Sequence, residues 1–130
     1  MSVREALLSA GYAYGEKVHV RWIQSDNIQE SNVAEMLKGC DGVLVPGGFG
    51  QRGTDGMKIA IRYARENQVP YLGICLGMQL ATIEFAENVL GMKKANSTEF
   101  DPQTPFPVID ILRDQYQGID MGGTLRLGAY

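Results

Sequence analysis

Several kinds of residue are scarce in this chain of 130 residues. It has two cysteines, Cys40 and Cys75, and one histidine, His19, so no Cys/His cluster with the spacing of a zinc site can form. Lysine and arginine total 12 against 15 acidic residues, a net charge of −3 without a basic run, which argues against nucleic acid or an anionic membrane as partner. No apolar run approaches the ~20 residues of a membrane span. We therefore expect a cytoplasmic protein that holds no metal.

Apolar residues follow helical and strand-like patterns in alternation. Helical spacing is found over residues 2–10, with Gly11 as its expected end, over 31–39, over 54–67 and from Cys75 to about Leu90. Residues 18–23 alternate as a strand does, 42–45 form a continuous apolar run, and Pro70 begins another strand. This order predicts an α/β fold, with a mainly parallel sheet and helices on both of its faces.

The pattern changes after Gly91. Residues 94–107 contain three prolines and predict an irregular excursion, followed by strands over 108–112 and 124–127. The chain begins with a helix where such a sheet usually begins with a central strand, and it ends inside a strand-like run. We therefore expect an incomplete sheet.

The segment Gly73-Ile74-Cys75-Leu76-Gly77 joins a predicted strand to a predicted helix. A nucleophile on such a sharp turn needs neighbours without Cβ atoms, because the chain must bend tightly and a substrate must approach. Unpaired N–H groups and the dipole at a helix N-terminus favour negative charge on a thiol placed there. The segment indicates a nucleophile elbow, although on its own it fits a small buried cysteine equally well.

A glycine-rich loop, residues 46–53, follows the other apolar strand. Because the carboxyl ends of parallel strands meet at one edge of a sheet, we expect this loop to lie beside Cys75. Gly47 or Gly48 could then present a backbone N–H that completes an oxyanion hole with the N–H of Leu76. Two donors and one sulfur would converge in a site for acyl transfer.

The same loop has the Gly-x-Gly-x-x-Gly spacing of a dinucleotide-binding turn, at Gly48, Gly50 and Gly53. Two features disfavour that interpretation. The next strand ends in residues 73–75 without the acidic residue that would hold a ribose, and a Pro-Gly pair already turns the chain ahead of the glycines. An ordinary glycine-rich turn is the remaining alternative.

Three polar residues are candidates for roles beside the cysteine. Gln79 lies four residues after Cys75, where its amide could contact a substrate, although this spacing alone favours a solvated or core-edge glutamine. Glu99 could meet a substrate ammonium, but a solvated loop carboxylate is the commoner case. His19 falls in the middle of a predicted strand and is better interpreted as structural, so no complete Cys-His-acid triad is found.

Four blocks of the sequence resemble the glutaminase domain of the CTP synthase family. The elbow alone is shared by the wider class I, triad-type glutamine amidotransferases, whose sheet is flavodoxin-like, whereas Gln79, residues 95–100 and residues 122–128 are specific to the CTP synthases. The resemblance covers essentially the whole chain. The blocks are residues 45–53, 72–79, 95–100 and 122–128.

This resemblance implies a function. Cys75 would attack the side-chain amide of L-glutamine, form a glutamyl thioester and release ammonia. Gly48 and Leu76 would bind the substrate near the oxyanion, Gln79 would help to hold it, and Glu99 would take its α-amino group. In the family, the ammonia passes to a synthetase domain of the same polypeptide, which uses ATP and Mg²⁺ to aminate UTP to CTP. GTP activates such enzymes, and they are homotetramers.

Compared with the family, the chain looks partial. We expect residues 1–130 to form part of a glutamine amidotransferase domain without its first strand, its C-terminal part or the synthetase domain. In the family, the arginine for the substrate carboxylate and the triad His and Glu lie beyond the position of Tyr130, and His19 does not match that histidine. The full-length protein would be an enzyme, and these residues alone would have little activity.

Two alternatives from other classes remain. One is a non-catalytic α/β module, either nucleotide-binding through the glycines of residues 46–53 or a degenerate amidotransferase-like partner. The other is a cysteine hydrolase with the same type of sheet and a different substrate.

Overall fold

Four helices and four short strands are found in the computed structural model, which describes residues 2–111. The chain divides into two compact units between Ala81 and Thr82. None of the described helices is long and apolar enough to span a bilayer. The predicted strand over 124–127 lies outside the described residues. In chain order the elements are α1 (Val3–Tyr14), a 3₁₀ turn (Ser25–Asn27), α2 (Val33–Met36), β1 (Val43–Val45), α3 (Thr54–Glu66), β2 (Tyr71–Gly73), α4 (Leu76–Asn88), β3 (Asn96–Ser97) and β4 (Pro107–Ile109).

In the first unit, β1 and β2 pair in parallel and α3 connects them. The helix packs against both strands, as a crossover helix does. This βαβ arrangement confirms the predicted α/β class with parallel strands. The register places Val45 opposite Gly73, so the loop that follows β1 and the turn that follows β2 start side by side.

Helix α3 supplies one wall of the apolar core of this unit. Its buried residues recur at helical spacing, and the helix matches the prediction over 54–67. A Cβ on Gly56 would overlap the carbonyl oxygen of Ser25, so only glycine lets α3 lie this close to the 3₁₀ turn. The buried cluster consists of Ile28, Val33, Leu37 and Ala60, with Tyr63 among the partly buried side chains packed against it.

The predicted end of the first helix is wrong. Helix α1 passes through Gly11 and ends at Gly15, which adopts the left-handed conformation (φ 69°) and donates its N–H to the carbonyls of Gly11 and Tyr12. Gly11 itself is buried, and a Cβ there would lie 2.6 Å from Cγ2 of Val18. Glycine at position 11 therefore serves close packing, and the glycine four residues later ends the helix.

The strand predicted over residues 18–23 is also wrong. A strand is defined by its ladder, and within residues 2–111 no other segment pairs with this one. Trp22 is 72% exposed, so the alternation of apolar residues does not mark a buried face. His19 is likewise exposed and belongs to no strand.

The second unit contains a parallel pair of strands, β3 and β4. Strand β4 coincides with the start of the strand predicted over 108–112, and β3 lies inside the region predicted to be irregular. The connection between them is fixed by Thr104, whose buried hydroxyl donates to the carbonyl of Lys94 at 2.6 Å. The predicted helix after Cys75 corresponds to α4, which ends two residues before Leu90.

Candidate active site

Cys75 lies between the last residue of β2 and the first residue of α4, and it is exposed. Its φ of 53° is in the left-handed region, which a residue with a Cβ adopts only at a cost. Its carbonyl accepts the N–H of Gln79 at 3.0 Å, so the helix begins directly after the cysteine. The predicted elbow is therefore present in the backbone, and the interpretation of Cys75 as a buried core residue is wrong.

The two glycines that flank the elbow are required by packing. A Cβ on Gly73 would lie 2.6 Å from the carbonyl carbon of Gly77 and 2.6 Å from the nitrogen of Met78. A Cβ on Gly77 would overlap the carbonyl oxygen of Val45. Any larger residue at either position would push the first turn of α4 away from the ends of the two strands.

The glycine-rich loop after β1 lies against this elbow, as predicted. A Cβ on Gly47 would be 3.3 Å from the Cβ of Cys75 and 3.9 Å from its Sγ. A Cβ on Gly48 would be 3.3 Å from Cδ2 of Leu76. The absence of side chains at these two positions leaves the loop backbone next to the sulfur.

Backbone donors accompany the sulfur. Leu76 is the first residue of α4, so helical geometry gives its N–H no partner within the helix. Within residues 2–111, neither this N–H nor that of Gly48 donates to an acceptor. The first turn of α4, which the structure describes in full, carries no acidic side chain to offset the positive end of the helix dipole. Such an end stabilises an anion formed near the sulfur.

The remaining predicted site residues are placed differently from one another. Gln79 is partly buried and lies one helical turn after Cys75, in the same unit. Glu99 belongs to the second unit, where it is exposed and its N–H donates to Oγ of Ser97 at 3.2 Å. Contacts of Gln79 and Glu99 with a substrate stay predictions.

Tyr71 is a neighbour of the elbow that no sequence motif singles out. Its hydroxyl donates to the carbonyl of Gly77 at 2.8 Å and so ties the start of β2 to the first turn of α4. Burial raises the pKa of Tyr71 to about 12. The one signal in the sequence is a hydroxyl within an otherwise apolar strand.

The far end of the glycine-rich loop is attached to the 3₁₀ turn. Nε of Arg52 donates to Oδ2 of Asp26 at 3.0 Å, and a Cβ on Gly53 would overlap Oγ of Ser25. The middle of the loop has little around it, because Phe49 is 96% exposed. In the part of the chain that is described, no group of three or more His, Cys, Asp or Glu residues could hold a metal ion.

The family described as glutamine amidotransferase class-I matches residues 1–128. An exposed cysteine on a strand-to-helix elbow of a parallel α/β sheet agrees with that match, and the chain belongs to this family. Within it, the chain is similar to CTP synthases. It is 58% identical to the CTP synthase of Halalkalibacterium halodurans and 60% identical to the CTP synthase of Staphylococcus carnosus. Each comparison covers 100% of this chain and 24% of the relative. The chain thus spans about a quarter of the length of these relatives.

A solved structure is also similar. It is described as the Trypanosoma brucei CTPS glutaminase domain with bound acivicin. The two chains share 36% identity with a TM-score of 0.80, over 86% of this chain and 44% of that one. Both comparisons agree with the α/β fold predicted from the sequence and with its resemblance to a glutaminase domain.

Proposed function

We propose that this chain is part of the glutaminase domain of a CTP synthase, which frees ammonia from L-glutamine for the ATP-dependent amination of UTP to CTP. The observation that carries the proposal is Cys75, exposed on a strained elbow, with the Gly47–Gly48 backbone beside it. Similarity to CTP synthases over all 130 residues supports this substrate and product. The cytoplasm is the location that goes with such an enzyme.

In the proposed reaction, the sulfur of Cys75 attacks the side-chain amide carbon of glutamine. The carbonyl oxygen gains negative charge, and the N–H groups of Gly48 and Leu76 would donate to it. The proton of the thiol passes to the amide nitrogen, the C–N bond breaks and ammonia is released, and the glutamyl group remains bound to the cysteine sulfur as a thioester. Water hydrolyses the thioester to glutamate and restores the thiol.

Two polar residues would hold the substrate in this scheme. Gln79 lies one turn along α4 from the nucleophile. Its side-chain amide would form a hydrogen bond with the bound glutamine, as a donor or as an acceptor. Glu99 would pair with the α-ammonium group of glutamine. Both residues lie in sequence blocks that resemble the CTP synthase family, and this resemblance supports these roles.

We assign the general base of this reaction to no residue of the chain. The sequence has one histidine, His19, which is exposed on a segment without a strand partner within residues 2–111, and we assign it no catalytic role. In the family the histidine and glutamate of the triad follow the region that corresponds to this chain. We therefore expect the 130 residues alone to hydrolyse glutamine more slowly than a complete domain by a factor of about 10²–10⁴.

Nucleotides would bind elsewhere in the complete enzyme. ATP, Mg²⁺ and UTP would occupy the synthetase domain, and GTP would act as an activator of a homotetramer. Residues of this chain would take part in the release of ammonia from glutamine. They would supply no ligand to the metal ion. The nucleotide-binding alternative would instead use the glycines of the 46–53 loop, and the family match favours the glutaminase over it.

The experiment compares Cys75→Ser with Cys40→Ser in the full-length protein that contains these residues. Serine keeps the size of the side chain and removes the thiol, and Cys40 is a partly buried cysteine in the same unit. We expect Cys75→Ser to abolish ammonia release from glutamine and to leave CTP formation from added ammonia intact. Equal glutaminase activity in the two variants would refute the proposal. Tight nucleotide binding without any glutaminase activity in the unmodified protein would support the binding module.

A further inference from the structure

The Tyr71 hydroxyl bridges the elbow. It belongs to the first residue of β2, and the carbonyl that it reaches belongs to Gly77, the second residue of α4. The 2.8 Å hydrogen bond therefore closes a ring of backbone that contains Cys75 and Leu76. Both the sulfur and one candidate oxyanion donor lie on this closed segment.

Packing and this hydrogen bond act on the helix in opposite senses. The contacts of Gly77 with Val45, and of Gly73 with Gly77, are close enough that a single added carbon would overlap or crowd its neighbour. Contacts of this kind stop the first turn of α4 from moving nearer to the strands, and they oppose its moving away only through weak dispersion forces. The hydrogen bond from the Tyr71 hydroxyl is an attraction that opposes movement of this turn away from the strands.

The strained backbone of Cys75 needs such an attraction to hold it in place. A left-handed non-glycine residue persists only where the surroundings hold it in place. If the first turn of α4 moved outward, φ of Cys75 could relax, and the Leu76 N–H would turn with the helix. Catalysis is sensitive to such changes, because a misplacement of about 1 Å can lower a rate by about 10²-fold.

The Tyr71 hydroxyl keeps its proton, and so remains a donor, at pH values below its raised pKa. Tyr71 is half-buried, and the raised pKa of its hydroxyl keeps the proton in place at neutral and mildly alkaline pH. The acceptor is the backbone carbonyl of Gly77, at 2.8 Å.

We propose that Tyr71 is a positioning residue of the nucleophile elbow, which holds the Leu76 N–H in the place where the oxygen of the tetrahedral intermediate develops charge. This inference rests on the proposed glutaminase function. Because the donor matters most when that oxygen is charged, the hydroxyl would affect the chemical step more than the binding of glutamine.

The test compares Tyr71→Phe with Tyr63→Phe in the full-length protein. Both substitutions remove one oxygen from a partly buried tyrosine of the first unit, and the Tyr63 hydroxyl has no hydrogen-bond partner within residues 2–111. The first readouts are kcat and KM for glutamine hydrolysis. Activity is divided by the fraction of protein that a diazoketone analogue of glutamine labels at Cys75, which corrects for any misfolded molecules.

The second readout is inhibition by the aldehyde analogue of glutamine. The Cys75 thiol adds across the C=O bond, with the sulfur on carbon and the proton on oxygen, and no group leaves. The product places an oxygen where the tetrahedral intermediate has its own. Its affinity therefore reports on the oxyanion donors separately from the binding of glutamine.

For Tyr71→Phe we expect kcat to fall about five- to tenfold, the equivalent of one lost hydrogen bond. The aldehyde should bind more weakly by a similar factor, with KM nearly unchanged, and Tyr63→Phe should match the unmodified protein. Equal kcat and aldehyde affinity in the two variants would overturn the positioning role alone, and so would a lower kcat with unchanged aldehyde affinity. An unmodified protein that neither hydrolyses glutamine nor reacts with the diazoketone would overturn the proposed function, and this inference with it.

Discussion

Two glycine-rich turns meet at the edge of the β1–β2 sheet, and they are held in different ways. In the turn after β2, the glycines are packed so closely that an added carbon at Gly77 would overlap the Val45 carbonyl. In the loop after β1, a Cβ on Gly50 would have no atom of residues 2–111 within 4 Å, and Phe49 beside it is 96% exposed. The turn after β2 is tightly packed at both of its glycines, whereas the loop after β1 has its close contacts with residues 2–111 near its two ends.

This difference separates two uses of glycine. Gly77 is needed for the close approach of one backbone to another, while Gly50 is needed for its left-handed φ of 78°. The first use fixes the position of Cys75 and of the N–H that follows it. The second lets the loop turn away after Gly47 and Gly48 have passed the sulfur.

The largest effect is expected from Gly77→Ala. Alanine usually stabilises a helix relative to glycine by about 1 kcal/mol. Here its Cβ would overlap the Val45 carbonyl oxygen, so we expect the free energy of unfolding to fall by about 3 kcal/mol. Glutamine hydrolysis should fall by about 10²-fold, because the nucleophile moves with the helix.

Urea unfolding and steady-state kinetics of the full-length protein measure these two changes. Stabilisation of the protein by Gly77→Ala would contradict the account, because it would mean that helix propensity outweighs the overlap. The comparison between the two turns would then lose its basis.

Gly50→Ala should have a smaller effect. The added Cβ meets no atom of the described residues, so we expect the cost to come from placing alanine at a positive φ and to amount to about 1 kcal/mol. Glutamine hydrolysis should stay near that of the unmodified protein. A loss of activity as large as that of Gly77→Ala would show that the middle of the loop is also fixed, against what its exposure indicates.

The sequence predicts the elbow well because its determinants are local. Two glycines around Cys75, an apolar strand before it and a helical pattern after it specify a strand-to-helix turn. The neighbouring loop is also predictable, because successive parallel strands of a βαβ unit place their carboxyl ends together. The first prediction depends on a few adjacent residues, and the second on the order of elements within one βαβ unit.

Other features depend on partners that are distant in sequence or on geometry that no pattern encodes. Apolar alternation over residues 18–23 does not say whether another strand pairs with the segment, and within residues 2–111 none does. Gly11 and Gly15 look alike in the sequence, although one packs against Val18 and the other ends α1. The Tyr71 hydrogen bond requires the exact spacing between β2 and α4, so it emerges only from the structure.

The central claim is that Cys75 is the nucleophile of a site that binds glutamine. The most direct measurement treats the unmodified full-length protein with the diazoketone analogue of glutamine and maps the adduct by peptide mass spectrometry, with and without excess L-glutamine. The account predicts one adduct, on Cys75, which excess glutamine prevents, and none on Cys40. An adduct on Cys40 alone, or labelling of Cys75 that glutamine does not slow, would contradict it.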